Sequence, residues 1–400
     1  MDKFLGIYIH LPFCSGKCAY CDFYSVDGDK NLMDRYLEAL ERHITESAAQ
    51  MEPYYIDTVY FGGGTPSLFG AERLCRVFNA LKNNAKVLKS AEVTVEMNPD
   101  DVRASELQLL KSEGVNRISL GMQSANDEIL HIIGRRHNFE QVKQAVSLIR
   151  AEGFENLSLD LIYGLPTQTR EDWADTLTKA ALLRPEHLSC YGLKLEEGSR
   201  LLEFREQGLL PSDDDQADMY LYMTDMLLGF GFGQYEISNF ARRGFKSRHN
   251  IKYWRLGDYM GFGPAAHSCI ENVRYSFVRD VEDYIEGVES GESLLDEYER
   301  LSRLDAASEY LMLGMRTVAG VSRKEYAALY RSGFDKIEYL FEEYEKKGWA
   351  KRYKDRWRFT SSGFLLSNIL IGTLLEAQSQ EKMYANPWIT DTIDTAGRTE

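Results

Sequence analysis

The sequence predicts an α/β protein: an incomplete TIM-type (β/α)6 barrel followed by a small helical, winged-helix-like C-terminal domain. Three observations carry that expectation. From Phe4 to about Asp160 short apolar runs alternate with longer amphipathic ones, the pattern of βα units on a parallel sheet. The residues with the most conspicuous chemistry fall just after those runs, where the loops of such a sheet gather on one rim. Beyond Leu301 the pattern becomes helix, helix and two short strands. Six consecutive units also suit a doubly wound sheet; the open barrel is preferred.

Taken in order, strands are expected over 5–10, 58–61, 92–97, 117–121, 157–162 and 187–193. Helices fall between them over 32–48, 71–82, 105–113, 140–152 and 170–183. In the first of these Leu32, Tyr36, Leu40 and Ile44 recur every four residues. Asp213-Asp214-Asp215 opens a further helix to about Leu228, its carboxylates complementing the positive helix end. Residues 279–300 are strongly acidic and read as a solvated helical face. Helices over 308–317, 323–330 and 335–346, then strands over 349–353 and 357–360, complete the pattern. The implied domains are a barrel over 1–235, a connecting region over 236–300, a C-terminal domain over 301–376 and an aperiodic, disordered tail over 377–400.

Composition narrows the function class. At 400 residues, with 44% hydrophobic and 27% charged residues, the chain is ordinary globular material for two to three domains. A net charge of -15 would repel a polyphosphate backbone, so no nucleic-acid partner is expected. The N-terminus lacks the features of a signal peptide and no apolar run is long enough to span a bilayer. A cytoplasmic protein without direct membrane insertion is expected.

Half of the six cysteines lie in His10-Leu11-Pro12-Phe13-Cys14-Ser15-Gly16-Lys17-Cys18-Ala19-Tyr20-Cys21-Asp22-Phe23. With six cysteines in 400 residues, independent placement gives this CxxxCxxC spacing only about once in 10³ sequences. Three thiolates so spaced suit one face of a [4Fe-4S] cube and leave its fourth iron without a protein ligand. A zinc site completed by His10, or three unrelated core thiols, are the alternatives. Cys75, Cys190 and Cys269 are scattered and read as core thiols. The other rim features are Gly62-Gly63-Gly64-Thr65-Pro66, Glu96 with Asn98-Pro99, Gln123-Ser124 and Asp160. Three glycines admit close approach of backbone to a ligand, though a tight turn alone accounts for them as well.

The cysteine loop and the GGGTP turn, each following a strand, resemble the radical S-adenosylmethionine (SAM) family. The fuller pattern adds Tyr8-Ile9-His10, Glu96-Met97-Asn98-Pro99, Arg117-Ile118-Ser119-Leu120-Gly121-Met122-Gln123-Ser124 and Asp160-Leu161-Ile162-Tyr163-Gly164-Leu165-Pro166. It is similar to the HemN-like branch, which holds oxygen-independent coproporphyrinogen III oxidases and haem chaperones. The resemblance covers roughly residues 4–375, including a HemN-type C-terminal domain.

It implies a radical SAM barrel with Cys14, Cys18 and Cys21 as cluster ligands, and Tyr8, Tyr20, Gly63, Gly64, Thr65 and Glu96 around cluster-bound SAM. Gln123, Arg135 and Asp160 correspond to positions holding a second SAM in the oxidase. Two features separate the branch members. The oxidase carries another cysteine where this chain has Phe23, and His249-Asn250-Ile251-Lys252-Tyr253-Trp254 matches the HNxxYW motif of the chaperones in full. The resemblance therefore implies haem as bound cargo with His249 as its ligand, recipient haemoproteins and an electron donor as partners, and room for a homodimer. From the residues alone His249 reads as a satisfied structural histidine among aromatic neighbours, as do the six other histidines.

Overall fold

The computed structural model describes residues 2–195 and 199–381. Six parallel strands form its centre: β1 (Lys3–Leu11), β2 (Tyr54–Gly63), β3 (Lys86–Met97), β4 (Arg117–Gln123), β5 (Leu157–Tyr163) and β6 (His187–Gly192). Each pairs with the next in chain order. All six lie where the periodicity places them, because each has one wholly apolar face. In β1 Leu5, Ile7, Ile9 and Leu11 are completely buried, each stabilising the fold by about 1.5–3 kcal/mol.

The expected helices cover that face. Along Lys30–Glu46 the residues Met33, Tyr36, Leu37, Leu40 and Ile44 are buried, and the Asp29 side chain caps the first turn by accepting from the Leu32 N–H at 2.8 Å. The helices Ala71–Asn84, Ala104–Glu113, Phe139–Ala151 and Arg170–Leu182 follow in the same way, and Asp213–Gly229 is closed by a capping box between Ser212 and Asp215.

The opposite face of the strands is polar. Successive inward positions carry Tyr8 and His10 in β1, Thr58 and Tyr60 in β2, and Glu92, Thr94 and Glu96 in β3. Beyond them come Arg117 and Ser119 in β4, Ser158 and Asp160 in β5, and His187 and Ser189 in β6. Side-chain bonds tie neighbours across this face: Tyr60 to Glu96 at 2.7 Å, Ser119 to Asp160 at 3.0 Å and Ser158 to His187 at 2.8 Å. The barrel encloses a hydrogen-bonded interior.

Residues 236–300 do more than connect. They supply β8 (Asn239–Ala241), which with β7 (Gly233–Gln234) extends the sheet antiparallel beyond β6. They also supply β9 (Tyr259–Phe262), parallel to β1, and the antiparallel strands β10 (His267–Ile270), β11 (Val273–Phe277) and β12 (Leu295–Arg300). The sheet thus has twelve strands with β12 and β7 at its unpaired ends, so the barrel is incomplete as expected.

One expectation is corrected. The acidic stretch 279–300 is not one solvated helix. Val281–Ser290 is a helix that buries Val281, Tyr284, Ile285 and Val288, while Leu295–Arg300 is an exposed edge strand. Asp296, Glu297 and Glu299 on that edge discourage pairing with another chain.

Arg248–Trp254, which carries the HNxxYW motif, is a short helix seated against the polar face of β2 and β3. Its Arg248 and His249 N–H groups donate to the two Glu92 oxygens at 3.1 and 3.0 Å. Lys252 lies over Gly6, where an added Cβ would come within 2.7 Å of it. The helix fills the barrel toward the amino-terminal ends of the strands, opposite the rim that bears the cysteines.

The C-terminal part has the expected helices, at Arg303–Gly314, Arg323–Tyr330 and Asp335–Lys346. The hairpin β14 (Ala350–Tyr353) and β15 (Arg356–Phe359) gains a third strand, β13 (Val321–Ser322), paired to β15. Two further helices, Ser361–Leu365 and Ser367–Ser379, carry the chain past 376, so residues 377–379 are helical rather than part of a disordered tail; residues 382–400 of the expected tail lie outside the described residues. Backbone bonds from Ile237 to Arg316 at 2.9 Å and from Val318 to Tyr235 at 3.1 Å dock this part on the barrel.

Removing the Glu92 carboxylate leaves the buried His249 N–H and the partly buried Arg248 N–H without an acceptor. Glu92→Ala should lose about 1–3 kcal/mol of stability in urea unfolding, and Glu92→Gln, which keeps one acceptor oxygen, less. Unchanged stability of the Ala variant would show that the helix is not held this way.

Candidate functional site

The site begins where β1 ends. The Cys14 N–H donates to Val26 O at 3.0 Å and the Val26 N–H to Pro12 O at 2.7 Å, so the cysteine loop leaves and returns at one point. Its far side is held by the Ala19 N–H on Ile133 O at 3.1 Å and by Arg200 on Lys17 O at 2.6 Å.

The glycine turn packs directly on the root of that loop. Gly64 and Thr65 donate their N–H groups to Leu11 O and Phe13 O, both at 2.8 Å. A Cβ on Gly64 would lie 2.6 Å from Phe13 O, and one on Gly63, whose φ is 110°, would lie 2.6 Å from the His10 ring. Both proposed uses of the triple glycine therefore meet here: it turns tightly, and it does so against the loop that bears the cysteines.

The three sulfurs have defined surroundings. Cys14 Sγ is 3.5 Å from Thr65 Oγ1, and Arg135 Nη1 donates to Cys18 Sγ at 3.6 Å. Burial raises the Cys21 thiol pKa, and the neighbouring Cys18 and Cys14 thiolates push it further up. Burial likewise raises the Tyr20 phenol, which also bonds to Cys18. All six cysteines are free.

Among the described residues no three His, Cys, Asp or Glu side chains stand close enough to share a single metal ion. Ligands of a cube each reach a different iron and need not do so. Three half-buried thiols on one loop, with a guanidinium and a hydroxyl directed at two of them, are a donor set that fits such a cluster.

Behind the loop the expected residues converge on one rim. Arg135 Nη2 bonds Asn98 Oδ1 at 2.6 Å and Gly121 O at 3.1 Å, while Asn98 Nδ2 reaches Thr65 Oγ1 at 3.4 Å. Arg135 Nε is buried without a partner among the described residues. Gln123, with φ of 64°, ends β4, and its side chain and Arg135 both flank Gly121, which pairs in register with Asp160.

Glu96 takes the Tyr60 hydroxyl at 2.7 Å and approaches Gly62, whose added Cβ would be 3.1 Å from Oε2. Burial raises its pKa to about 7, with Asp160 adding to the shift and the Tyr60 bond opposing it. Asp160 is also raised, chiefly by burial, against hydrogen bonds from Ser189, Ser119 and Ser158 and the charge of Arg117. Tyr8 bonds His10 Nδ1 at 3.0 Å. Asn98 carries no role in the sequence pattern and Tyr60 is absent from it; strand alternation from Gly62 is the signal that points to Tyr60.

His249 is not brought to this rim. Its ring is 1% exposed, with Nδ1 on the Thr58 hydroxyl at 2.9 Å and Nε2 on the Tyr253 hydroxyl at 2.8 Å. It stacks on Tyr60 at 5.2 Å, and burial lowers its pKa to about 3. A ligand at either nitrogen would take the place of the Thr58 or the Tyr253 hydroxyl.

A model of the radical SAM superfamily matches residues 8–180. The chain is 36% identical over 374 residues to the haem chaperone HemW of Lactococcus lactis subsp. lactis, covering 92% of this chain and 96% of that one. The chaperone of the same name from Bacillus subtilis is 36% identical over 376 residues, covering 92% and 98%. The chain belongs to the HemN-like family of radical SAM proteins.

In the Escherichia coli HemW the identity is 31% over 378 residues. Among solved structures, the coproporphyrinogen III oxidase HemN of Escherichia coli superposes with a TM-score of 0.82 at 24% identity, covering 94% of this chain and 90% of that one. That likeness shows the shared fold. Membership of the radical SAM family implies a [4Fe-4S] cluster and SAM. Among the described residues no helix is long and apolar enough to cross a membrane.

The raised Glu96 pKa has a measurable consequence. Between about 4.5 and about 7 the folded protein keeps a proton that the unfolded chain releases. The stability this group contributes is therefore full below the lower value and is lost as the pH rises through the upper one. Glu96→Gln should flatten the dependence of the urea midpoint on pH across that window. A variant as steep as the wild type would mean that Glu96 titrates normally.

Proposed function

We propose that the protein is a radical SAM haem chaperone, which binds haem as cargo and delivers it to recipient haemoproteins. The observation that carries this reading is the end-to-end similarity, at 36% identity, to proteins named haem chaperones. Cys14, Cys18 and Cys21 would hold the [4Fe-4S] cluster. Tyr8, Tyr20, Gly63, Gly64, Thr65 and Glu96 would surround SAM, and Gln123, Arg135 and Asp160 would line the adjoining interior.

Bound there, the cluster and SAM would supply one-electron cleavage of a carbon-sulfur bond, with the electron coming from an external donor. The chain's own contribution is placement. Thr65 and Arg135 orient two sulfurs, the Gly63-Gly64 backbone leaves an approach free of side chains, and Glu96 presents a carboxyl able to hold or release a proton near neutrality. An electron donor and the recipient haemoproteins are the partners this reading requires, and a homodimer is compatible with it.

The fold shared with the oxidase favours a second reading, oxidative decarboxylation of coproporphyrinogen III. Against it stands Phe23, 67% exposed at the position where the oxidase pattern has a further cysteine. One anaerobically reconstituted sample decides between them. Haemin titration should give a saturable Soret change, and incubation with SAM, reductant and coproporphyrinogen should give no protoporphyrinogen. Turnover without haemin binding would overturn the chaperone reading.

A further inference from the structure

Glu96 and His249 stand toward opposite ends of the barrel interior, and Tyr60 touches both. We propose that Tyr60 is a positioning residue: its hydroxyl holds the Glu96 carboxyl beside the glycine turn while its ring rests on His249, so that SAM binding at the rim depends on what occupies the motif helix. This rests on the reading above that Glu96 stands beside SAM and, for its link to cargo, on the chaperone reading with His249 as haem ligand.

Strand alternation puts the parts in line. Thr58, Tyr60 and Gly62 are successive inward positions of β2, as Glu92, Thr94 and Glu96 are of β3, with Thr58 opposite Glu92 and Tyr60 opposite Thr94. Thr58 and Glu92 hold the motif helix, the first on His249 Nδ1 at 2.9 Å and the second on the Arg248 and His249 N–H groups. Two residues along β2 from Thr58, the Tyr60 ring lies 5.2 Å from the His249 ring at an interplanar angle of 28°. Its hydroxyl reaches on toward the rim and donates to Glu96 Oε1 at 2.7 Å.

Gly62 makes that reach possible. A Cβ added there would lie 3.0 Å from the Tyr60 ring and 3.1 Å from Glu96 Oε2, pressing between the two. Burial, with the Glu96 charge adding to it, raises the Tyr60 phenol well above its ordinary pKa, so the hydroxyl remains a donor. Among the described residues it gives Glu96 its one side-chain hydrogen bond.

The other end of the chain of contacts can change. The Thr58 and Tyr253 hydroxyls hold the two His249 nitrogens, and the Tyr253 ring meets the imidazole edge-on at 5.1 Å. A ligand at either nitrogen takes the place of one hydroxyl and shifts the ring on which Tyr60 rests. The Tyr60 hydroxyl then leaves its place on Glu96, and SAM loses a fixed carboxyl. By linkage, bound SAM opposes ligand binding at His249 by the same factor.

Calorimetric titration of SAM into the full-length, anaerobically reconstituted protein tests this, with circular dichroism and urea midpoints showing that each variant is folded. Tyr60→Phe keeps the ring on His249 and removes only the hydroxyl; it should weaken SAM binding about fivefold or more. In a Glu96→Ala background the same substitution should have no further effect. His249→Ala should weaken SAM binding in the wild type but not in Tyr60→Phe, whereas independent structural losses would add. Haemin should weaken SAM binding by the wild type and leave that of Tyr60→Phe unchanged. Wild-type SAM affinity in Tyr60→Phe, or losses that add, would overturn the assignment and leave the SAM and chaperone readings standing. Unaltered SAM affinity in the haemin-loaded wild type would overturn the link to cargo, and no SAM binding by the wild type would overturn the SAM reading itself.

Discussion

The close approach of the Gly62–Thr65 turn to the backbone of Leu11–Phe13 is the constraint on which the rest of the site depends. Two N–H···O bonds of 2.8 Å tie the turn to the root of the cysteine loop, and a Cβ at Gly64 would fall between 2.6 and 2.9 Å from three backbone atoms. Phe13 anchors the same point from below: its ring stacks on Phe69 at 5.6 Å and meets Tyr36 edge-on at 5.4 Å. Gly28 leaves room for that ring, since a Cβ there would be 2.3 Å from it. The loop thus has a fixed root in the hydrophobic core and a more exposed tip, an arrangement that places three sulfurs while leaving space for what they bind.

The polar interior of the barrel follows from strand alternation. One face of each strand supplies the apolar surface that stabilises the sheet against its helices, and the other carries Glu92, Glu96, Arg117 and Asp160. Buried charges are costly unless paired, and here the carboxylates are met by serines, a tyrosine and helix N–H groups, with the Arg117 charge among them. The helix Arg248–Trp254 belongs to this economy. His249 connects Thr58 to Tyr253 and stacks on Tyr60, which in turn bonds Glu96, so the motif at one end of the barrel supports the carboxyl at the other.

Much of this was legible in the sequence because it is local or periodic. The six central strands, their helices and the cysteine spacing each leave a pattern within a few tens of residues. The rule that chemistry follows the strands brought Thr65, Glu96, Gln123 and Asp160 to one rim. What escaped was non-local. Nothing in residues 259–262 says that they pair with β1, and the charge of 295–300 masks an edge strand whose exposure is what permits that charge. His249 shows the same limit from the other side. Its motif identifies kinship, yet its partners Thr58 and Glu92 lie far away in the chain, and only their positions show that the imidazole is already occupied.

If the glycine turn sets the geometry of the cluster loop, Gly64→Ala must disturb that loop. The measurement is iron content together with the electron paramagnetic resonance signal of the dithionite-reduced protein after anaerobic reconstitution. The variant should be folded by far-UV circular dichroism, with clearly reduced iron and a weakened or lost cluster signal. A folded Gly64→Ala protein with wild-type iron content and an unchanged signal would contradict that role of the turn.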